Sequence, residues 1–129
     1  MKALVIIDML DDFVHGALAN PRAQTIVAPL QELLEYARKE RWAVVFSNDA
    51  HLPGLGVDEV VLAGQHTHIC VRHSAYGALI RGYAIAVPRD AVCAFEGVDE
   101  EDALEYLRTV YGARITSVAE LVGQGPEPL

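Results

Sequence analysis

Apolar positions fall into two alternating rhythms along this chain. Ala3–Ile7 is an unbroken apolar run, the mark of a parallel strand covered on both faces, and Trp42–Phe46, Val57–Gly64 and Tyr83–Val87 repeat it. Between these runs the spacing turns helical. Ile26, Val27, Leu30, Leu33, Leu34 and Ala37 share one face of a helix expected from Ala23 to Lys39. Residues 70–81 form a second predicted helix, with Gly82 as the residue that ends it. A third is expected to start at Asp99, an N-cap residue three positions before Asp102, and to reach Tyr111 before Gly112. Ala113–Ser117 reads as a short last strand followed by a helical turn. Residues 123–129 read as a tail that frays, leaving one domain over residues 1–122.

Strands that alternate with helices predict an α/β fold with three layers, α/β/α, around a mainly parallel, right-handedly wound sheet of the Rossmann-like kind. Ligands of such sheets bind beyond the carboxyl ends of the strands. That rule selects Asp8, Asp49 and the turn from Gly64 to Cys70. One connection does not fit. A parallel crossover needs a dozen or more residues, usually with a helix, and Asp49–Gly56 is too short and too rich in Pro and Gly. Either the strands on its two sides are not neighbours, or the chain lacks an internal segment between Gly54 and Leu55. The second is the reading adopted here.

Composition adds limits. The 129 residues are 52% apolar, enough for a single cored domain. A formal charge of -8 argues against nucleic acid and anionic membrane surfaces as partners, since both demand clustered Lys and Arg. No apolar run approaches the roughly 20 residues of a membrane span. The apolar stretch after Met1 is short, meets Asp8 at once and has no small-residue cleavage site, so a strand and a cytoplasmic protein are expected. Two cysteines, Cys70 and Cys93, are then reduced thiols.

Cys70 carries the sharpest chemical signal. It follows a strand, a glycine and Gln65-His66-Thr67-His68-Ile69, and it opens a helix whose partial positive charge and unpaired amides favour a thiolate and an oxyanion. A buried structural thiol is the bland alternative, and Cys93 has no setting beyond that one. Asp8 ends an apolar strand, a position that suits a general base; Asp11 and Asp12 beside it read as solvated or turn-capping. Asp49 and His51 place a carboxylate and an imidazole at i and i+2, a donor pair suited to a divalent Zn, Fe or Mn ion, although two such residues also make an ordinary polar turn. His15, His66, His68 and His73 taken singly read as solvated or core residues.

Three segments together resemble the isochorismatase-like cysteine hydrolases, which include the nicotinamidases. Ala3-Leu4-Val5-Ile6-Ile7-Asp8-Met9-Leu10-Asp11-Asp12-Phe13 is similar to the family's opening strand and catalytic aspartate loop. Phe46-Ser47-Asn48-Asp49-Ala50-His51 resembles its metal-associated loop. Val60-Val61-Leu62-Ala63-Gly64-Gln65-His66-Thr67-His68-Ile69-Cys70-Val71 looks like its nucleophile turn, and Gly82-Tyr83 and Arg89-Asp90-Ala91-Val92 its following strand. The resemblance implies Cys70 as nucleophile and Asp8 as base, Phe13 lining the substrate pocket, and the amides of His66 and Cys70 as oxyanion hole. It further implies a cis peptide at Gln65–His66, a metal side at Asp49 and His51, a small-molecule amide substrate and a homo-oligomer.

The family's triad also includes a lysine, on a strand between the Asp-x-His loop and the cysteine strand. This chain has only Lys2 and Lys39, and Gly54 runs straight into Leu55 as if roughly 50 residues were omitted. The leading expectation is therefore a small-amide hydrolase. Its alternatives are an isochorismatase-type hydrolase of an enol ether and a binding or assembly module lacking the lysine. A phosphoacceptor receiver domain built on Asp49 ranks last, because Val87-Pro88-Arg89 supplies no late-strand lysine.

Overall fold

Successive residues of the first strand point to opposite layers, which is what makes its apolar run continuous. In strand β1, Lys2–Ile7, residues Ala3, Val5 and Ile7 belong to one core cluster, and Leu4 and Ile6 to a second on the other face of the sheet. The computed structural model describes residues 1–7, 9, 20–46 and 56–124. Among these, a 3-10 helix at Pro21–Ile26 leads into helix α1, Val27–Lys39, and then strand β2, Ala43–Phe46. Strand β3, Glu59–Gln65, is followed by helix α2, Cys70–Ile80, and strand β4, Ala84–Pro88. A single 3-10 turn, Arg89–Ala91, and a two-residue strand β5, Val92–Cys93, precede helix α3, Glu100–Tyr111. Strand β6, Arg114–Thr116, and helix α4, Val118–Gly123, complete the described chain.

All the strand pairs are parallel, in the order β2-β1-β3-β4-β6, with β5 alongside the end of β3. Val71, Ala75 and Ala78 of α2 and Leu104 and Leu107 of α3 cover one face. Leu30, Leu33 and Ala37 of α1 and Val118 and Leu121 of α4 cover the other. The three-layer α/β/α architecture expected from the alternation is the one found.

Local signals place the elements. Asp99 Oδ1 accepts the amide of Asp102 at 3.1 Å, three acidic residues fill the first turn of α3, and Gly112 closes it in the left-handed conformation at φ 70°. Ser117 caps α4 through Glu120 N, so the last strand stops at Thr116 and not at Ser117. The helix expected from Ala23 begins as a 3-10 turn two residues earlier, because Asn20 Oδ1 accepts the amide of Arg22 and Pro21 presets its first residue. Two residues, Val92 and Cys93, pair with Gly64 and Gln65 where the sequence predicts no strand.

The strands flanking the short connection are not neighbours. Strand β1 lies between β2 and β3, pairing Ala3 with Ala43 on one side and with Val60 on the other. Both still run parallel to β1, so the chain must cross back from the carboxyl end of β2 to the amino end of β3, and the short connection between them stays unusual.

Candidate active site

Strand β3 ends where the chemistry is expected to begin. Ile7 of β1 is in register with Gly64, and Val92 of β5 pairs with Gly64 from the other side. Gly64 adopts φ 109°, and a Cβ there would lie 2.2 Å from the carbonyl oxygen of Ile7, so only glycine lets the two backbones meet this closely. Gln65 follows, fully buried, and the Gln65–His66 peptide bond is cis. The chain then turns through Thr67, His68 and Ile69, and Cys70 is the first residue of α2, half-buried against the core face that holds Val71 and Ala75.

The turn is held from several sides. The His66 carbonyl accepts the amides of Ile69 at 3.0 Å and Val71 at 3.1 Å, the residues on either side of Cys70. Thr67 donates its amide to Cys93 O at 3.0 Å and its hydroxyl to Glu100 Oε1 at 2.7 Å. The other Glu100 oxygen accepts the amide of Ala94 at 2.7 Å. Buried Asn20 donates to Ala94 O at 2.9 Å and to Gln65 Oε1 at 3.4 Å. The His66 ring lies 4.0 Å, centroid to centroid, from Phe95, and His68 packs on the same ring at 5.2 Å.

Burial governs the second thiol, Cys93. Burial, joined by the Glu100 carboxylate and opposed by Arg22, pushes the Cys93 thiol up to about 12, so it stays protonated near neutrality. That agrees with the structural role read from its position. Burial also holds the His68 imidazole below its ordinary range, with the Glu100 charge working against this and the Arg72 guanidinium reinforcing it. Arg72, the cation nearest to Cys70 along α2, lies 3.3 Å from the ring centroid of Tyr106 on α3.

Neither lysine is near. Lys2, at the amino end of β1, donates to Gln124 Oε1 at 2.9 Å and lies 3.8 Å from Glu59 at the amino end of β3, at the opposite end of the strands from Cys70. Lys39 is the last residue of α1. Of the residues selected by sequence, Gln65, His66 and Cys70 are brought together in one turn. Asp8, Phe13, Asp49 and His51 lie outside the described residues. Among the described residues no group of three His, Cys, Asp or Glu side chains is arranged to hold a metal, and no helix is long and apolar enough to cross a membrane.

Asn20, Ala94 and Glu100 surround the turn without having been singled out by sequence. Asn20 before Pro21 carries an ordinary loop signature, and Glu100 that of an acid in a helix's first turn. Their contacts span 45 and 33 residues, beyond any local pattern.

A parallel sheet covered by helices on both faces, with a cysteine opening the helix after its central strand, defines the class as a three-layer α/β protein. The chain matches the isochorismatase domain over residues 2–54 and 49–120, and it belongs to the isochorismatase family. The crystal structure of N-carbamoylsarcosine amidase from Thermoplasma acidophilum is 30% identical, with a TM-score of 0.77 over 91% of this chain and 96% of that one. An isochorismatase-like hydrolase from Alkaliphilus metalliredigens superposes with a TM-score of 0.81 at 23% identity, covering 95% and 98% of the two chains. Pyrazinamidase of Pyrococcus horikoshii, solved in complex with zinc, gives 0.78 at 23% identity over 90% and 98%. An uncharacterised isochorismatase family protein of Bacillus subtilis, YaaI, is 22% identical over 174 aligned positions, 94% of this chain and 96% of its own length. The alignment is longer than this chain's 129 residues, so part of that relative has no counterpart here. The two pieces of the domain match meet at residues 49–54, where the sequence reading places the omission.

Proposed function

We propose that this chain is a cysteine hydrolase of small amides. In this reading Asp8 takes the proton of the Cys70 thiol, and the thiolate attacks the amide carbonyl carbon. The carbonyl electron pair moves onto oxygen, which the amides of His66 and Cys70 hold. Asp8 returns the proton to the nitrogen, the C–N bond breaks, and ammonia leaves behind a thioester. Water, deprotonated by Asp8, cleaves the thioester to a carboxylic acid and restores the thiol.

The observation that carries the reading is the placement of Cys70 as first residue of α2, beyond a strand whose Gly64 pairs with Ile7, the residue before Asp8. The likeness to an amidase at 30% identity supports an amide over an enol ether. Ammonia release from nicotinamide, pyrazinamide and N-carbamoylsarcosine tests it. Turnover of at least one substrate by the wild type and none by Cys70→Ala is the expected result; equal turnover by the variant refutes the assignment.

The position of Lys2, paired with Gln124 and Glu59 at the amino ends of the strands, favours a second reading. A shell lacking the family's lysine would bind small molecules or partners without turning them over. A wild type inert on every amide, yet stabilised against heat by one of them, would select this alternative.

A further inference from the structure

We infer that Glu100 is a positioning residue for the Cys70 turn, a role that rests on the reading of that turn as the active site. Its two carboxylate oxygens serve two different elements. Oε1 accepts the Thr67 hydroxyl and Oε2 the Ala94 amide, both at 2.7 Å. Thr67 is fully buried and stands between His66, on the cis bond, and Cys70. Ala94 follows β5, whose Val92 and Cys93 pair with Gly64 and Gln65. The carboxylate therefore ties the middle of the turn to the backbone that flanks its entry. Glu100 is itself fixed as the first residue of α3, whose Asp99 cap and Leu104 and Leu107 packing anchor it to the sheet.

Two further hydrogen bonds described on this side are Thr67 N to Cys93 O at 3.0 Å and Asn20 Nδ2 to Gln65 Oε1 at 3.4 Å, and the Phe95 ring packs on His66 and His68. Both hydrogen bonds end at or before the amide of Thr67. Among the described contacts only the Glu100 bond holds the Thr67 side chain, and it is the last hydrogen bond to α3 before Cys70. Losing it frees the segment that sets the His66 amide and the Cys70 sulfur relative to each other. Misplacing reacting groups by about 1 Å costs on the order of 100-fold in rate. Glu100 touches neither the sulfur nor a substrate in this arrangement; it acts through Thr67.

A glutamine can take over both bonds. Its oxygen accepts the Ala94 amide and its NH2 donates to the Thr67 oxygen, which the hydroxyl permits because it also accepts. An alanine makes neither bond.

The test compares Glu100→Ala, Glu100→Gln and Thr67→Val in the full chain. Two readouts are used: amide turnover, and the second-order rate of Cys70 alkylation by iodoacetamide mapped by mass spectrometry. Glu100→Ala and Thr67→Val are expected to lower kcat by roughly 10–100-fold with KM changed less than about threefold. Cys70 alkylation should change by at least about threefold in both, and Glu100→Gln should recover most of the wild-type value. Wild-type rates in Glu100→Ala, or equal losses in the Ala and Gln variants, overturn the inference. Should Glu100→Ala fail to fold, Thr67→Val decides alone, and unchanged rates there overturn it. If the wild type hydrolyses no amide, the functional reading has failed, and alkylation still judges the positioning role independently.

Discussion

Ile7 and Gly64 meet backbone to backbone across the β1–β3 seam, so closely that a Cβ on Gly64 would stand 2.2 Å from Ile7 O and 2.7 Å from Ile7 N. Neither group belongs to a flexible side chain, so no rotamer change relieves the clash. Gly64→Ala also meets a backbone at φ 109°, where L side chains are strained. The variant should lose about 3 kcal/mol or more of unfolding free energy, read from its urea midpoint. A variant within about 0.5 kcal/mol of the wild type would contradict the close approach.

The two thiols should react very unequally. Cys70 is half-buried at a helix start, whereas Cys93 is 4% exposed with its thiol pushed up to about 12. Iodoacetamide at pH 8 should label Cys70 alone, and Cys70→Ala should take up no label while folded. Labelling of Cys93 at a comparable rate would contradict the buried, protonated thiol.

Acid should weaken the fold through His68. Burial lowers its folded pKa below the unfolded value of roughly 6.5, so the unfolded chain binds the proton more tightly. Stability from this group is then constant above that pH and falls as pH drops through it towards the folded value. His68→Gln should flatten the decline of the urea midpoint below pH 7. An unchanged slope would remove His68 from the account.

Asp99→Ala removes the cap on Asp102 N and should cost about 1 kcal/mol. Because Asp99 is exposed and its side-chain bond stays within α3, Cys70 alkylation in the folded protein should be unaffected. A change in alkylation as large as that of Glu100→Ala would mean that the start of α3 acts on the turn as a whole, and not through one carboxylate.

How far these features are legible in the sequence depends on range. Strands β1 and β3 announce themselves because burial on both faces demands an unbroken apolar run, and α1 because one buried face repeats every three to four residues. Strand β5 does not, since two residues carry no period and Val92–Cys93 becomes a strand only by pairing with Gly64 and Gln65. Cys70 stands out as a thiol after a strand and a glycine, a local pattern with a physical meaning. Glu100 and Asn20 do not, because what distinguishes them is a partner 33 or 45 residues away. The neighbours of β2 and β3 are likewise a property of the assembled sheet: the shortness of residues 47–58 signals something unusual without saying that β1 intervenes.

Among the described residues, the clamp on the Cys70 turn draws on Gln65, Thr67, Cys93, Ala94 and Glu100, and on Asn20 from before β2. The described scaffold of the thiol thus spans the end of β3, β5 and the start of α3, so a change in any one of these three reaches the same turn.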